Sequence, residues 1–266
     1  MSFSLHRGSA PLLVSMPHVG TEIPAELRDR YVERALQVED TDWHLARLYA
    51  WARDIGASVL QPRYSRYVID LNRPPDDAPM YPGASNTELC PTRFFTGDPL
   101  YREGREPDTA ERAHRRATYW QPYHDALAGE LERIKAQHGF ALLWDGHSIR
   151  SRIPWLFEGE LPGLNIGTAN DVSADETITR AVANAARRHP EFTHVANGRF
   201  KGGYITRHYG RPAQDVHAVQ LEMCQKLYMQ EEAPFAYDEE KAATVIPVVR
   251  EMLLAALVTA EAIHAR

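Results

Sequence analysis

The 266-residue sequence is poor in cysteine, has no excess of positive charge and contains no long apolar run. Its two cysteines, Cys90 and Cys224, lie far apart and outside any CxxC pattern, which excludes a disulfide framework and a thiolate zinc site. Lys and Arg number 30 against 36 Asp and Glu, a formal charge of −6. This balance argues against a nucleic acid or an anionic membrane surface as the partner.

Signals that direct a chain to a membrane are also missing. No window reaches the ~18 uninterrupted apolar residues of a spanning helix. The first residues, Met1 to Ser9, hold no long apolar stretch, and the run Leu12 to Val14 is too short for a signal-peptide core. We therefore expect a cytoplasmic protein without a membrane or nucleic-acid partner. The oligomeric state stays open.

Several sequence motifs of common enzymes are absent. There is no GxSxG elbow, P-loop or GxGxxG, so serine hydrolases, P-loop NTPases and Rossmann dehydrogenases lose support. There is no HExxH either. Any metal ligands must therefore converge from distant segments of the chain.

Short apolar segments alternate with helical segments, which is typical of an α/β fold. The pattern predicts strands at 11–15, 57–61, 67–71, 140–144, 192–196 and 217–222. It predicts helices at 24–35, 42–54, 108–138, 173–189 and 238–265. Asp40 and Asp42 would cap the helix at 42–54, and Ser173 the helix at 173–189.

Residues 72–107 differ from the rest because they hold seven prolines and few periodic apolar positions. A segment of this length without regular structure is usually functional or disordered. Its aromatic residues favour an ordered loop that packs on the protein; they are Tyr81, Phe94, Phe95 and Tyr101. Whether this loop moves over a ligand stays open.

Polar residues follow two of the predicted strands. His18 comes after 11–15, and His147 comes after 140–144. Open α/β sheets bind ligands beyond the carboxyl ends of their strands. Two histidines and a carboxylate are a sensible ligand set for Zn²⁺ with a fourth position open. Asp40 or Asp42 could supply the carboxylate, although helix capping is the simpler explanation of both.

Two further polar residues are candidates for the same site. Glu222 lies among apolar residues at the end of a predicted strand, where a buried carboxylate needs a partner or a metal. The alternation leaves open that Glu222 faces solvent on an edge strand. Arg73 follows Asn72 and could bind a carboxylate with two parallel hydrogen bonds, or form an ordinary surface ion pair.

Together these motifs resemble those of the N-formylglutamate amidohydrolases. The matching segments are Met16–Pro24 (MPHVGTEIP), Asp40–Leu45 (DTDWHL), Val68–Pro74 (VIDLNRP), Asp145–Ser148 (DGHS), Gly202–Tyr204 (GGY), Thr206–Gly210 (TRHYG) and Val219–Met223 (VQLEM). They occur over nearly the whole chain, so we expect residues 1–266 to form a single domain.

The resemblance implies an α/β fold similar to the zinc carboxypeptidases: a mixed, mostly parallel central sheet flanked by helices. It implies one Zn²⁺, or another divalent transition metal, held by His18, Asp42 and His147, with Asp40 as the alternative acidic ligand. It implies Glu222 as the catalytic base. These assignments rest on likeness of fold and motif.

The resemblance also implies a dicarboxylate substrate, N-formyl-L-glutamate, cleaved to formate and glutamate as the last step of a histidine degradation route. Asn72 and Arg73 would bind one carboxylate, and Tyr204 lies in a motif of the same predicted site. A second cation must bind the other carboxylate. The candidates are Arg207, Arg150, Arg152 and Lys201.

The sequence leaves two alternatives to this function open. The first is a deacylase or carboxypeptidase that acts on another N-acyl amino acid with the same metal site. The second is a metal-free binding protein built on the same scaffold. Retention of His18, Asp42, His147 and Glu222 argues against the second, because a degenerate site usually loses such a residue.

Overall fold

The computed structural model describes residues 1–79 and 87–265, and a seven-stranded sheet forms its centre. The strands are β1 (Phe3–His6), β2 (Leu12–Ser15), β3 (Ser58–Pro62), β4 (Ala141–Ile149), β5 (Leu164–Gly167), β6 (His194–Ala196) and β7 (Val216–Cys224). Their order across the sheet is β1-β3-β2-β4-β7-β5-β6.

The sheet is mixed and mostly parallel, which confirms the predicted fold class. The central strands β3, β2, β4 and β7 are all parallel to their neighbours in that row. The antiparallel pairs are β1 with β3 and β5 with β7, while β6 is parallel to β5. Because the central strands are parallel, their carboxyl ends meet at one edge of the sheet.

Helices cover both faces of the sheet. The α-helices are α1 (Ala25–Arg28), α2 (Leu45–Leu48), α3 (Thr109–Arg115), α4 (Gln121–His138), α5 (Glu176–Arg187), α6 (Tyr204–Tyr209) and α7 (Glu239–His264). The 3-10 helices are Glu33–Gln37, Ala50–Arg53, Pro212–Gln214 and Gln225–Leu227, and a π-helical turn, Arg116–Trp120, joins α3 to α4. The predicted helix at 108–138 is therefore continuous but changes its winding just before Pro122.

Alternation along β4 and β7 sorts their side chains onto two faces. Trp144 and Leu221 belong to the core formed with α5 and α7. Leu143 and Ala218 belong to the core formed with α4. Beyond the apolar positions on the α4 face, the same alternation places Asp145, His147, Gln220 and Glu222. The strand period of two therefore carries polar groups to the end of an apolar face.

Strand β4 is longer than the predicted 140–144. Its nine residues are in register with nine residues of β7, from Ala141 opposite Val216 to Ile149 opposite Cys224. Asp145 and His147 therefore lie inside a strand, where hydrogen bonds to β7 hold the backbone, and do not lie in a loop after it. This fixes their side chains more rigidly than a loop would.

Two predicted elements near the site are wrong. Residues 67–71 form turns and irregular backbone, because Oδ1 of Asp70 accepts the backbone N–H of Asn72 and competes with strand pairing. The predicted helix at 42–54 consists only of α2 and the 3-10 turn Ala50–Arg53. His44, with φ of 59°, lies outside the right-handed helical region and delays the helix to Leu45.

Smaller differences occur elsewhere. The predicted helix at 24–35 is reduced to α1 and part of the 3-10 helix that follows it. Helix α5 is capped by Asp175, whose side chain accepts the N–H of Thr177, and not by Ser173. The hydroxyl of Ser173 donates instead to the carbonyl of Ala218. Strands β1 and β5, each of four residues, are not among the predicted strands.

Part of the proline-rich segment packs as an ordered loop. Phe94 and Tyr101 are buried in an apolar cluster with Tyr31, and Phe95 is buried close to β4. Tyr81 falls outside the described residues.

By length and composition, α7 could cross a membrane, with a mean hydropathy of 1.7 over its most apolar window. Its side chains Val245, Val249 and Met252 are fully buried against the sheet and α5, so part of this apolar character belongs to the core.

Candidate metal centre and pocket

Three buried side chains from distant segments meet at the carboxyl end of the central strands. His18 follows β2, Asp42 precedes α2, and His147 lies in β4. Within residues 1–79 and 87–265, they form the group of three potential metal ligands whose donor atoms all lie within 4.8 Å of one another. The tertiary structure therefore brings together the ligand set that the resemblance implied.

The spacing of these donors suits a small divalent metal. Nδ1 of His147 lies 3.2 Å from Nδ1 of His18 and 3.3 Å from Oδ2 of Asp42. Nδ1 of His18 lies 3.8 Å from the same carboxylate oxygen. Neighbouring ligands of a tetrahedral Zn²⁺ at about 2.0 Å from the metal are about 3.3 Å apart. Two imidazoles and one carboxylate are also the ligand types that Zn²⁺ takes, so the residues fit the metal.

A second layer of carboxylates contacts the far side of both imidazoles. Nε2 of His18 lies 2.7 Å from Oδ1 of Asp70, and Nε2 of His147 lies 3.2 Å from Oδ1 of Asp145. For His18 this contact favours a proton on Nε2 and leaves Nδ1 available as a ligand. Sequence reasoning missed both roles, although each aspartate lies in a motif that was noted.

The geometry of the two outer contacts differs. The His18–Asp70 contact is a hydrogen bond, whereas Oδ1 of Asp145 accepts no hydrogen bond from the described residues. Its contact with His147 is therefore electrostatic only. Oδ2 of Asp145 accepts the hydroxyl of Thr206, which holds the carboxylate in place.

The electrostatic environments of the two histidines also differ. Burial, supported by the charge of Arg66, lowers the pKa of His18. Burial would lower the pKa of His147 too, but the carboxylates of Asp145 and Asp42 outweigh it and raise that pKa well above its usual range. Negative charge that favours a proton on His147 would equally favour a metal cation.

Asp40 lies outside this group. Its Oδ2 accepts the hydroxyl of Tyr67 and the backbone N–H of Phe95, and its Oδ1 accepts a hydrogen bond from Arg150 at 2.8 Å. Burial raises the pKa of Asp40. Neither Asp40 nor Asp42 caps a helix, since Oδ2 of Asp42 accepts the N–H of Ser148. The capping interpretation of both residues is wrong.

Glu222 lies on the same face as the histidines. It is in register with His147 on the neighbouring parallel strand, and it is 7% exposed. It therefore does not face solvent on an edge strand. Burial raises the pKa of Glu222 to about 8, well above that of a carboxyl in water. Such a value suits a group that exchanges protons near neutral pH.

Gln220 holds Glu222 from the preceding position on that face. Its Oε1 accepts the backbone N–H of Gly203 at 2.7 Å, which fixes the orientation of the amide. Its Nε2 therefore points toward Glu222 and donates to Oε2 at 3.3 Å. Sequence reasoning missed Gln220.

A pocket opens beside the histidines and Glu222. Asn72 lies in its wall: its Oδ1 accepts the N–H of Ile205, and its Nδ2 lies 3.1 Å from Nε2 of His147. A Cβ on Gly203 would be 2.2 Å from Nδ2 of Asn72, so only glycine fits there. This close approach gives the Gly202-Gly203 motif a structural reason.

The pocket contains three arginines, of which the sequence predicted one. The predicted residue is Arg73, whose guanidinium donates to Thr87 and to the carbonyl of Asn72. The unpredicted residues are Arg66 and Arg199. A cluster of positive charge inside an acidic protein matches the requirements of an anionic ligand.

The other predicted substrate-binding residues are not in the wall of this pocket. Arg150 pairs with Asp40, and Arg152 is an exposed partner of Glu160. Nε of Arg207 donates to the carbonyl of Gly202, and Tyr204 stacks on His208. Lys201 also lies outside the residues that line the pocket.

Comparison with known proteins identifies the family. Residues 10–229 match the family model described as N-formylglutamate amidohydrolase. The chain belongs to the N-formylglutamate amidohydrolase family. It is 50% identical over 254 residues to an N-formylglutamate deformylase of Pseudomonas putida, covering 96% of this chain and 95% of that protein. It is 51% identical over 250 residues to an N-formylglutamate deformylase of Pseudomonas aeruginosa, covering 94% of each.

Solved structures show the same fold. The N-formylglutamate amidohydrolase of Ralstonia eutropha JMP134 superposes with a TM-score of 0.81 at 25% identity, over 99% of this chain and 98% of that one. A gene product of Agrobacterium tumefaciens superposes with a TM-score of 0.72 at 20% identity, over 98% of this chain and 96% of that one. At that identity the second likeness concerns the fold alone.

Proposed function

We propose that this protein is a metal-dependent amidohydrolase that removes the formyl group from N-formyl-L-glutamate. The observation that carries the proposal is the buried group His18, Asp42 and His147 beside Glu222 in an arginine-lined pocket. The full-length similarity to two N-formylglutamate deformylases supports the substrate. The products are formate and L-glutamate.

His18, Asp42 and His147 would hold the divalent metal, with Asp70 orienting the imidazole of His18 and Asp145 adding negative charge beside that of His147. When bound, such a metal supplies Lewis acidity that activates water and polarises a carbonyl oxygen. Zn²⁺ fits this donor set, and other divalent transition metals share its preference for imidazole.

Glu222 would move the proton in the reaction. As a carboxylate it takes a proton from the attacking water, and as a carboxylic acid it returns that proton to the amine that leaves. Gln220 holds Oε2 of Glu222 at one fixed position in the pocket.

Asn72 and Arg73 would position the substrate. The amide of Asn72 lies between His147 and α6, so the backbone that carries Arg73 is fixed next to the metal ligands. Thr87 and the Asn72 carbonyl hold the guanidinium itself, which leaves its planar fork preorganised for a carboxylate.

A turnover assay on N-formyl-L-glutamate, with and without a chelator, tests the proposal. We expect formate release by the purified protein, loss of turnover after metal removal, and recovery when Zn²⁺ is returned. Near-stoichiometric metal in the purified protein is expected as well. Absence of metal together with absence of turnover would favour the metal-free binding protein.

Glu222→Gln distinguishes the contribution of the base from that of the metal. We expect kcat to fall by about 10²- to 10⁴-fold, the usual contribution of a general base, while metal content stays unchanged. A kcat near that of the parent protein would contradict the assignment of Glu222.

A substrate panel tests specificity. We expect N-formyl-L-glutamate to be hydrolysed faster than N-acetyl-L-glutamate or N-formyl-L-aspartate. A preference for one of the other two would identify a deacylase for a different N-acyl amino acid.

A further inference from the structure

We propose that Arg199 binds the side-chain carboxylate of the substrate and is the residue that selects glutamate over its neutral analogues. The inference rests on the proposed function, because it takes N-formyl-L-glutamate as the ligand of the pocket. That substrate has two carboxylates, and each needs a cation or several donors once it leaves water.

Of the three arginines that line the pocket, Arg66 is the one beside the carboxylates of the candidate metal centre. Arg66 is buried, and its Nη2 donates to Oδ2 of Asp70 at 2.6 Å. Its Nη1 lies 4.0 Å from Oδ1 of Asp42. Drawing Arg66 toward a substrate would remove the compensating charge from two buried carboxylates beside the histidines. Arg66 therefore serves the metal centre. Arg73 and Arg199 are the other two arginines that line the pocket.

Arg73 lies next to Asn72, whose amide contacts His147, and thus belongs to the part of the pocket where the bond is cleaved. In N-formyl-L-glutamate the α-carboxylate and the reacting nitrogen share one carbon atom. The α-carboxylate must therefore stay near the metal ligands. This assigns the α-carboxylate to Arg73 and leaves the more distant side-chain carboxylate to Arg199.

The surroundings of Arg199 suit a glutamate side chain. Its Nη2 donates to the carbonyl of Leu156 at 3.2 Å, and its guanidinium lies 5.4 Å from the ring centre of Phe200. Leu156, Phe200 and Arg199 all line the pocket. Two apolar side chains beside an arginine match two methylene groups that end in a carboxylate.

The cations predicted from sequence do not meet these conditions. Arg150 is occupied by Asp40, Arg152 is on the surface with Glu160, and neither lines the pocket. The backbone also places Arg199 close to the site, because Arg199 precedes the Gly202-Gly203 turn that packs on Asn72 and Gln220. Sequence reasoning missed it because Arg199 lies outside the recognised motifs.

The test compares N-formyl-L-glutamate with N-formyl-L-glutamine, which has nearly the same shape but a neutral side chain. We expect the parent protein to prefer glutamate in kcat/KM. In Arg199→Met, which keeps an unbranched stem, we expect this preference to fall about 10- to 100-fold, as for loss of a charge-assisted hydrogen bond. The value for N-formyl-L-glutamine should stay within about threefold of the parent value, and Arg199→Lys should retain part of the preference.

Two further variants make the comparison specific. Arg73→Met should lower kcat/KM for both substrates by a similar factor, because both carry the α-carboxylate. Arg180→Gln removes an equal charge from the exposed face of α5, where Arg180 pairs with Glu176. This variant should leave kcat/KM unchanged for both substrates. Metal content and melting temperature of each variant show whether the fold is retained.

Equal losses for both substrates in Arg199→Met, or an unchanged preference, would overturn the assignment of Arg199. So would a parent protein that hydrolyses N-formyl-L-glutamine as fast as N-formyl-L-glutamate. Failure of the parent protein to hydrolyse either compound would instead overturn the proposed function itself.

Discussion

Two pairs of adjacent histidines lie at opposite ends of the central strands. At the carboxyl end, Nδ1 of His18 and Nδ1 of His147 are 3.2 Å apart. At the other end, where β7 begins, Nε2 of His217 and Nε2 of His264 are 3.0 Å apart. The spacing of the two pairs is nearly the same, so proximity of imidazoles does not distinguish them.

The carboxylates around each pair make the difference. His18 and His147 contact three buried aspartates, whereas His264 lies 3.8 Å from Asp215, whose side chain is half-exposed. Among the described residues, no third donor completes a ligand group with His217 and His264. Charge, and not imidazole contact, therefore marks the candidate metal site.

Removing one imidazole from each pair gives the largest expected contrast. In His147→Ala, we expect metal affinity and turnover to fall by more than about 100-fold, beyond the usual loss of an outer-shell partner. In His217→Gln, we expect both to stay at the parent level. Metal analysis and formate release measure the two effects, and a similar loss in both variants would contradict the distinction.

Removing a carboxylate that lies beside each histidine pair should change metal binding less than removing an imidazole. Asp70→Asn keeps the shape of the side chain beside His18 but removes the negative charge that accepts the hydrogen bond from Nε2. We therefore expect about 10- to 100-fold weaker metal binding. Asp215→Asn is the matched change at the other pair and should leave metal binding unaltered. A titration with a competing chelator measures the metal affinity of both variants. Equal affinities would show that the Asp70 carboxylate does not contribute to metal binding.

The hydrogen bond from Gln220 to Glu222 should contribute less to turnover than the metal ligands do. Gln220→Leu removes the donor to Oε2, and we expect kcat to fall about tenfold, as for loss of a hydrogen bond to a charged group. KM and metal content should change little. Gln214→Leu, near the second pair, is the control. A parallel change in KM or loss of metal would show that Gln220 supports the fold and not the base.

The smallest expected effect is on the pH dependence of stability. Burial and the neighbouring His264 lower the pKa of His217, while Asp175 and Asp215 oppose this shift. The folded protein therefore binds fewer protons there than the unfolded chain, and stability is lost as pH falls below about 6.5. His217→Gln should lose less stability than the parent between pH 7 and pH 5, measured by urea unfolding. An identical pH dependence would contradict this.

Much of the candidate site could be predicted because its parts leave local signals. His18 follows a short buried strand, and Glu222 interrupts an apolar alternation. The resemblance of motifs along the chain then predicted the grouping of both with His147. That the whole chain forms one domain stays a prediction.

Other parts of the site left no local signal. Asp40 and Asp42 are two residues apart, and both have the composition of helix caps. Which of them joins the histidines depends on the positive φ of His44, the delayed start of α2 and the N–H of Ser148, which Asp42 accepts. None of these is visible in a sequence pattern.

The sequence by itself determined the α/β class, the strand alternation that ends in polar residues, and the family motifs. Only the tertiary structure decided that Arg150 pairs with Asp40, that Arg66 pairs with Asp70, and that Arg199 lies in the wall of the pocket. Secondary-structure patterns depend on neighbours a few residues apart. Ion pairs depend on distances between segments that strand register and loop packing set, and those distances are fixed only in the folded chain.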